Sequence, residues 1–99
     1  MHEGIDIAVP TGTSVGAAAS GTVIYAGWLG GYGNLVVVDH GGGLSTAYAH
    51  NSSLSVGEGA TVGAGAVLAS SGNTGNSSGP HVHFEVRVNG SAVDPLGYL

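Results

Sequence analysis

Apolar residues along this chain alternate with small or polar ones at a period of two, in short runs cut by glycine, and little of it carries the 3.6-residue period of a helix. The clearest run is PHVHFEVRVNG. There, alternation sets Val82, Phe84, Val86 and Val88 on one face and His81, His83, Glu85 and Arg87 on the other. Similar patterning predicts strands at roughly Gly4–Val9, Thr22–Trp28, Leu35–His40, Leu44–His50, Val67–Ser70 and His81–Val88. The segments GWLGGYGN, HGGGL and SSGNTGNSSGP collect Gly, Asn, Ser and Pro and read as loops. The expected class is all-β.

Two stretches resemble each other: GTSVGA at Gly12–Ala17 and GATVGA at Gly59–Ala64, each followed by a short apolar run. They hint at an internal duplication, although six small residues also recur easily by chance. No longer period of a repeat array is present.

With 99 residues, 42% of them hydrophobic, the chain has enough for one domain, 1–99, with one modest core. The formal charge is −5 and Arg87 is the sole Lys or Arg. Such a chain cannot neutralise a row of phosphates, so nucleic acid and anionic membrane surfaces are poor candidate partners, and none of the former is expected. Cysteine is absent, so any metal must be held by His, Asp or Glu. The apolar stretches fall well short of the ~20 residues of a spanning helix, and MHEGIDIAVP lacks the basic start and long apolar run of a secretory leader. No membrane insertion by this chain is expected, and any export signal lies outside it.

Histidine changes the picture, because five occur among so few ionisable groups: His2, His40, His50, His81 and His83. Residues i and i+2 on a strand have Cα atoms ~6.5 Å apart, so one imidazole of HVH can bind a metal while the other reaches a water beside it. HEGID supplies His2 and Asp6, which on a straight strand would stand ~13 Å apart. Their joint ligation needs a bend, which Gly4 permits. His2, Asp6 and one of the HVH histidines make a nitrogen and oxygen set with a fourth position open, the pattern of a catalytic zinc. Such a zinc lowers the pKa of water toward ~7 and polarises a carbonyl, which gives peptide hydrolysis without a protein nucleophile. In LSTAYAH, alternation groups Leu44, Thr46, Tyr48 and His50 on one face, and His50 could serve as proton shuttle or oxyanion partner. His40, in VDHGGG, reads as a surface turn residue, and Glu85 as the partner of Arg87. No HExxH helix occurs.

The segments HEGIDIAVPTGTSV, ASGTVIYAG, GYGNLVVVDHGGGLSTAYAH, VGEGATVGAGAVLASSGNTGNSSGPHVHFEVRVNG and VDPLGYL resemble, in order and over essentially the whole chain, the M23 peptidases, the LytM- and lysostaphin-like zinc endopeptidases of bacterial cell walls. The resemblance implies a compact antiparallel β-sheet or sandwich of the duplicated hybrid motif type. It implies Zn²⁺ held by His2, Asp6 and His83. His50 and His81 would flank the attacking water as catalytic residues, in a groove walled by loops such as Ser70–Pro80. The implied function is hydrolysis of peptidoglycan stem or cross-bridge peptides by a secreted or cell-envelope metallopeptidase.

Two departures stand out. Family domains usually carry residues upstream of the first ligand, including a strand, whereas His2 here follows Met1. Basic residues are also nearly absent, which assigns targeting to the anionic wall to an additional domain or chain. The alternative function is a non-catalytic LytM-like regulatory domain that binds and activates a cell-wall amidase. The glycine- and valine-rich turns also suggest a biotinyl or lipoyl carrier, but a carrier needs a lysine and the chain has none.

Overall fold

The computed structural model describes residues 4–95, and His2 lies outside them. Among these residues ten strands follow in chain order: β1 (Ile5–Ala8), β2 (Ser14–Gly16), β3 (Gly21–Trp28), β4 (Asn34–Gly41), β5 (Leu44–Asn51), β6 (Ser53–Leu54), β7 (Thr61–Val62), β8 (Val67–Ser70), β9 (His81–Val88) and β10 (Ser91–Val93), with a 3₁₀ turn at Gly30–Tyr32. The six expected strands are all present, within one or two residues at each end. Four short ones, β2, β6, β7 and β10, were not expected. Each has only two or three residues, too few to show an alternation.

All strand pairings are antiparallel. The larger sheet has the order β1-β9-β5-β4-β3-β7, with β10 also on β9, and the smaller has the order β2-β8-β6. Both β1 and β10 pair with β9, β1 along His81–Phe84 and β10 along Val86–Val88. The main core joins Val15, Leu68 and Ala69 of the small sheet to Val23, Val36, Val38, Tyr48, Val82, Phe84 and Val86 of the large one. A smaller cluster on the opposite face of the large sheet holds Leu35, Val37, Ala47 and Ala49, with Tyr25 and Tyr32 packed on it. This two-faced burial explains why β4 reads as the unbroken apolar run LVVV where other strands alternate.

The two similar stretches take the same local form. Thr13 N–H bonds Pro10 O and Ala60 N–H bonds Gly57 O, both at 3.2 Å, and Gly12 and Gly59 have φ of 94° and 89°. Each turn feeds a short strand with a buried valine, Val15 in β2 and Val62 in β7. Their partners differ: β2 pairs with β8 in the small sheet and β7 with β3 in the large one.

One expectation fails. Leu44, Thr46 and Tyr48 do share a face, as the 2.6 Å bond between the Thr46 and Tyr48 hydroxyls shows. His50 does not continue it. Its φ of 66° turns the backbone into the left-handed region, and the pairing with β4 shifts register between Asn34 and Val36. The irregularity carries the His50 ring to the opposite face, beside the rings of His81 and His83. His40 also differs from the expected turn residue. It lies within β4, its Nδ1–H donates to Ser20 O at 2.8 Å, and its Nε2 bonds the Thr46 hydroxyl at 2.8 Å.

Candidate active site

The site is built on three neighbouring strands. Asp6 on β1 stands directly opposite His83 on β9, and His83 stands opposite Ala49 on β5. Side chains of one antiparallel row share a face, so the carboxylate and the imidazole meet: Asp6 Oδ1 lies 2.7 Å from His83 Nδ1. On the β1 side, a Cβ placed on Gly4 would come within 2.6 Å of His83 Cε1. The glycine of HEGID is therefore needed as room for the imidazole.

His81 stands two residues before His83 on the same face, with Nε2 3.5 Å from Asp6 Oδ1. The ring of His50 lies 4.8 Å from that of His81 and 6.0 Å from that of His83, centroid to centroid. Asp6, His50, His81 and His83 thus come together, and His40 takes no part. Two of these rings are tethered alike. His50 Nδ1 is 2.6 Å from Thr74 O, and His81 Nδ1 is 2.7 Å from Gly79 O. A carbonyl only accepts, so in both rings Nδ1 carries the proton and Nε2 offers a lone pair. Burial depresses the His50 pKa below its ordinary value, against the opposing pull of the Thr74 bond, and so favours the neutral ring.

His83 is held differently. Nε2 lies 2.9 Å from Glu85 Oε2, and Arg87 Nε donates to Glu85 Oε1 at 2.9 Å. The Glu85–Arg87 pairing matches the sequence reading. Its depth does not: Glu85 is only 2% exposed. Tyr32, over whose ring the Arg87 guanidinium sits at 5.6 Å, helps close off that half of the face. The Glu85 bond first, then Asp6, raises the His83 pKa despite burial. Burial pushes the Glu85 carboxyl up, but its bonds to His83 and Arg87 outweigh that and the net shift is downward. Asp6 is lowered chiefly by its bond to His83.

The residues face a cleft of about 450 Å³ with Gly31 and Tyr32 on one side and Asn76, Ser77 and Ser78 on the other. These walls are latched together. Asn76 N–H donates to Gly31 O at 2.8 Å, Asn34 N–H donates to the Thr74 hydroxyl at 3.2 Å, and that hydroxyl donates to Asn51 O at 2.6 Å. Gly33 and Gly75, at φ of 65° and 74°, let the two backbones touch where any Cβ would collide. Sequence reasoning missed Tyr32 as a lining residue, whereas Asn76, Ser77 and Ser78 lie in the Ser70–Pro80 loop expected to wall the groove. An aromatic set among glycines in GGYGN was the available signal for Tyr32.

Among the described residues no three His, Asp or Glu side chains are arranged to hold a metal ion. Asp6 and His83 converge as two donors, and the third expected ligand, His2, is outside that range. Donors ~2 Å from one tetrahedral ion stand ~3.3 Å apart, so the Asp6–His83 pair need open only slightly. An oxygen and nitrogen set without sulfur suits Zn²⁺. The donors present fit the metal.

A match to the model of peptidase family M23 covers residues 1–95. The chain belongs to that family. Over 96 residues it is 48% identical to the "DD-carboxypeptidase/endopeptidase Mpg" of Neisseria meningitidis serogroup B, covering 97% of this chain and 22% of the relative. Over 99 residues it is 46% identical to the "Murein hydrolase activator NlpD" of Escherichia coli K12, covering 99% of this chain and 26% of the relative. The chain therefore spans about a quarter of the length of these curated relatives. Among solved M23-like structures, the catalytic domain of the antimicrobial peptidase lysostaphin from Staphylococcus simulans superposes with a TM-score of 0.93 at 38% identity, covering 99% of this chain and 78% of that one. A zinc-containing peptidase from Vibrio cholerae superposes with a TM-score of 0.90 at 38% identity, covering 94% and 29%. The all-β antiparallel architecture is thus that of M23 peptidases.

Proposed function

We propose that this M23 chain is a zinc-dependent endopeptidase that hydrolyses peptide bonds in the stem peptides or cross-bridges of bacterial peptidoglycan. The observation that carries the reading is the paired Asp6 and His83, flanked by two imidazoles whose Nδ1–H groups are tied to backbone carbonyls, which turns their Nε2 atoms toward the site. Asp6 and His83, with His2, would hold the metal. Zinc, when bound, would supply a Lewis acid for the scissile carbonyl and for activation of water.

The chain's own residues supply the rest. The latched walls of the cleft hold an extended peptide across the histidines and limit its freedom before reaction. His50 and His81 share two tasks: taking a proton from the attacking water at Nε2, and stabilising the charge that develops on the carbonyl oxygen. The proton then passes to the departing amine, which balances the cleavage. Tyr32, kept neutral by burial and then by the nearby Glu85 charge, presents a phenol to the same cleft.

The second reading, a regulatory domain that activates a cell-wall amidase, is favoured by the likeness to the murein hydrolase activator. Both readings put the protein in the cell envelope or outside the cell, with peptidoglycan peptides or a wall hydrolase as partner. The described residues contain no helix long and apolar enough to cross a membrane. Mass spectrometry of peptides released from purified walls of several cross-link types, with and without a zinc chelator, separates the readings. Chelator-sensitive release identifies the bond from its new termini. No release from any wall, with zinc bound, favours the activator.

A further inference from the structure

Glu85 is a buried carboxylate that the proposed reaction does not use, and both its oxygens are committed. Oε1 accepts from Arg87 Nε and Oε2 faces His83 Nε2, each at 2.9 Å. The other nitrogen of His83 faces Asp6 at 2.7 Å. A carboxylate only accepts, so a ring with one proton serves the more deeply buried partner, 2% exposed, by keeping that proton on Nε2. Asp6 is open to solvent, its side chain 65% exposed, and can satisfy its oxygens elsewhere.

We infer that Glu85 is a positioning residue for His83: it takes the Nε2–H of the ring and leaves Nδ1, the nitrogen beside Asp6, to give its lone pair to the metal. The inference rests on the reading of Asp6 and His83 as ligands. Arg87 fixes the carboxylate from behind, its guanidinium lying over the Tyr32 ring at 5.6 Å. Gly4 leaves the His83 ring room to lie in this line. Four side chains in series, Tyr32, Arg87, Glu85 and His83, thereby aim one lone pair. An outer carboxylate that orients a metal-binding imidazole typically accounts for ~10–100-fold in metal affinity.

The test compares wild type with Glu85→Gln, which keeps the shape but removes the charge, and with His83→Ala. Zinc affinity is read by chelator competition, and the His83 nitrogens by NMR of histidine-¹⁵N-labelled, zinc-loaded protein. The wild type should show a protonated Nε2 whose hydrogen is protected from exchange and a metal-bound Nδ1. Glu85→Gln should weaken zinc binding ~10–100-fold and lose that protection, with circular dichroism unchanged. Unchanged affinity and protection in Glu85→Gln would overturn the inference while leaving the ligand assignment standing. The wild-type spectrum needs no variant, and metal on Nε2 in it would overturn the inference even if Glu85→Gln failed to fold. Zinc binding that survives His83→Ala, or is absent in the wild type, would overturn the ligand assignment itself and the inference with it.

Discussion

On the face that β5 and β9 turn toward the small sheet, Tyr48, Val82, Phe84 and Val86 are packed and almost dry. On their other face the same two strands carry His50, His81, His83 and Glu85 over the small residues Ala47 and Ala49. The first face obeys strict alternation. The second depends on an exception, since His50 reaches it only by entering the left-handed region at φ 66°. Packing rewards regularity, whereas gathering three imidazoles from two strands required a break in it. Left-handed backbone at a non-glycine residue costs on the order of 1–3 kcal/mol. The latch of Asn34, Asn51 and Thr74 around the break is what holds it: Asn51, fully buried, donates to both Asn34 O and Tyr48 O.

The largest expected effect tests the site face. His50→Ala should lower wall-peptide release by ~10²–10⁴-fold while zinc remains bound, whereas His83→Ala or Asp6→Ala should lose zinc as well. Metal analysis beside the release assay separates the two outcomes. Metal retention by His83→Ala would remove the basis for placing the ligand on this face.

The core face should respond in the opposite way. Leu68 is fully buried between the sheets, and Leu68→Ala should cost ~2–5 kcal/mol in chemical denaturation, with zinc affinity unchanged in the protein that remains folded. Coupled loss of both would mean that the two faces are not independent.

A subtler contrast concerns the break itself. His50→Gly and His50→Ala both remove the imidazole and its bond to Thr74, but only glycine tolerates the left-handed backbone. The glycine variant should be the more stable by about 1 kcal/mol. Equal stabilities would show that the backbone relaxes and that the conformation is not strained.

The smallest expected effect is a pH dependence, and it follows from the raised His83 pKa. Zinc must displace the proton of His83, so its affinity should fall as pH is lowered, beginning above the ordinary histidine value of 6.5. In the metal-free chain the sign reverses. A raised folded-state pKa adds stability that is fully present below 6.5 and is lost as pH rises through the folded value. Denaturation midpoints across that window, with and without zinc, should therefore slope in opposite directions.

Much of this was legible from residue order. Alternation in HVHFEVRV placed the valines and Phe84 inward and both histidines on the other face, and the run LVVV was legible as a strand, although its burial on both sides was not. The strands β2, β6, β7 and β10 escaped because two or three residues carry no period, and their existence depends on the partners they find. Glu85 was correctly paired with Arg87, but its burial was not foreseen. That depth depends on tertiary packing, which brings Tyr32, some fifty positions away, beside Glu85 and Arg87.

The sequence by itself determined the class of fold, the chemistry available to a chain without cysteine or lysine, and the set of His and Asp side chains from which a metal site could be drawn. Those depend on local period and on residue type, which are properties of the order of residues alone. Only the tertiary structure decided that Asp6 and His83 face each other across neighbouring strands, that His50 leaves its own face to join them, and that one face of β9 is wet at His83 and dry at Glu85. These are matters of register, backbone handedness and what packs from elsewhere, and each is settled by contacts between residues far apart in the chain.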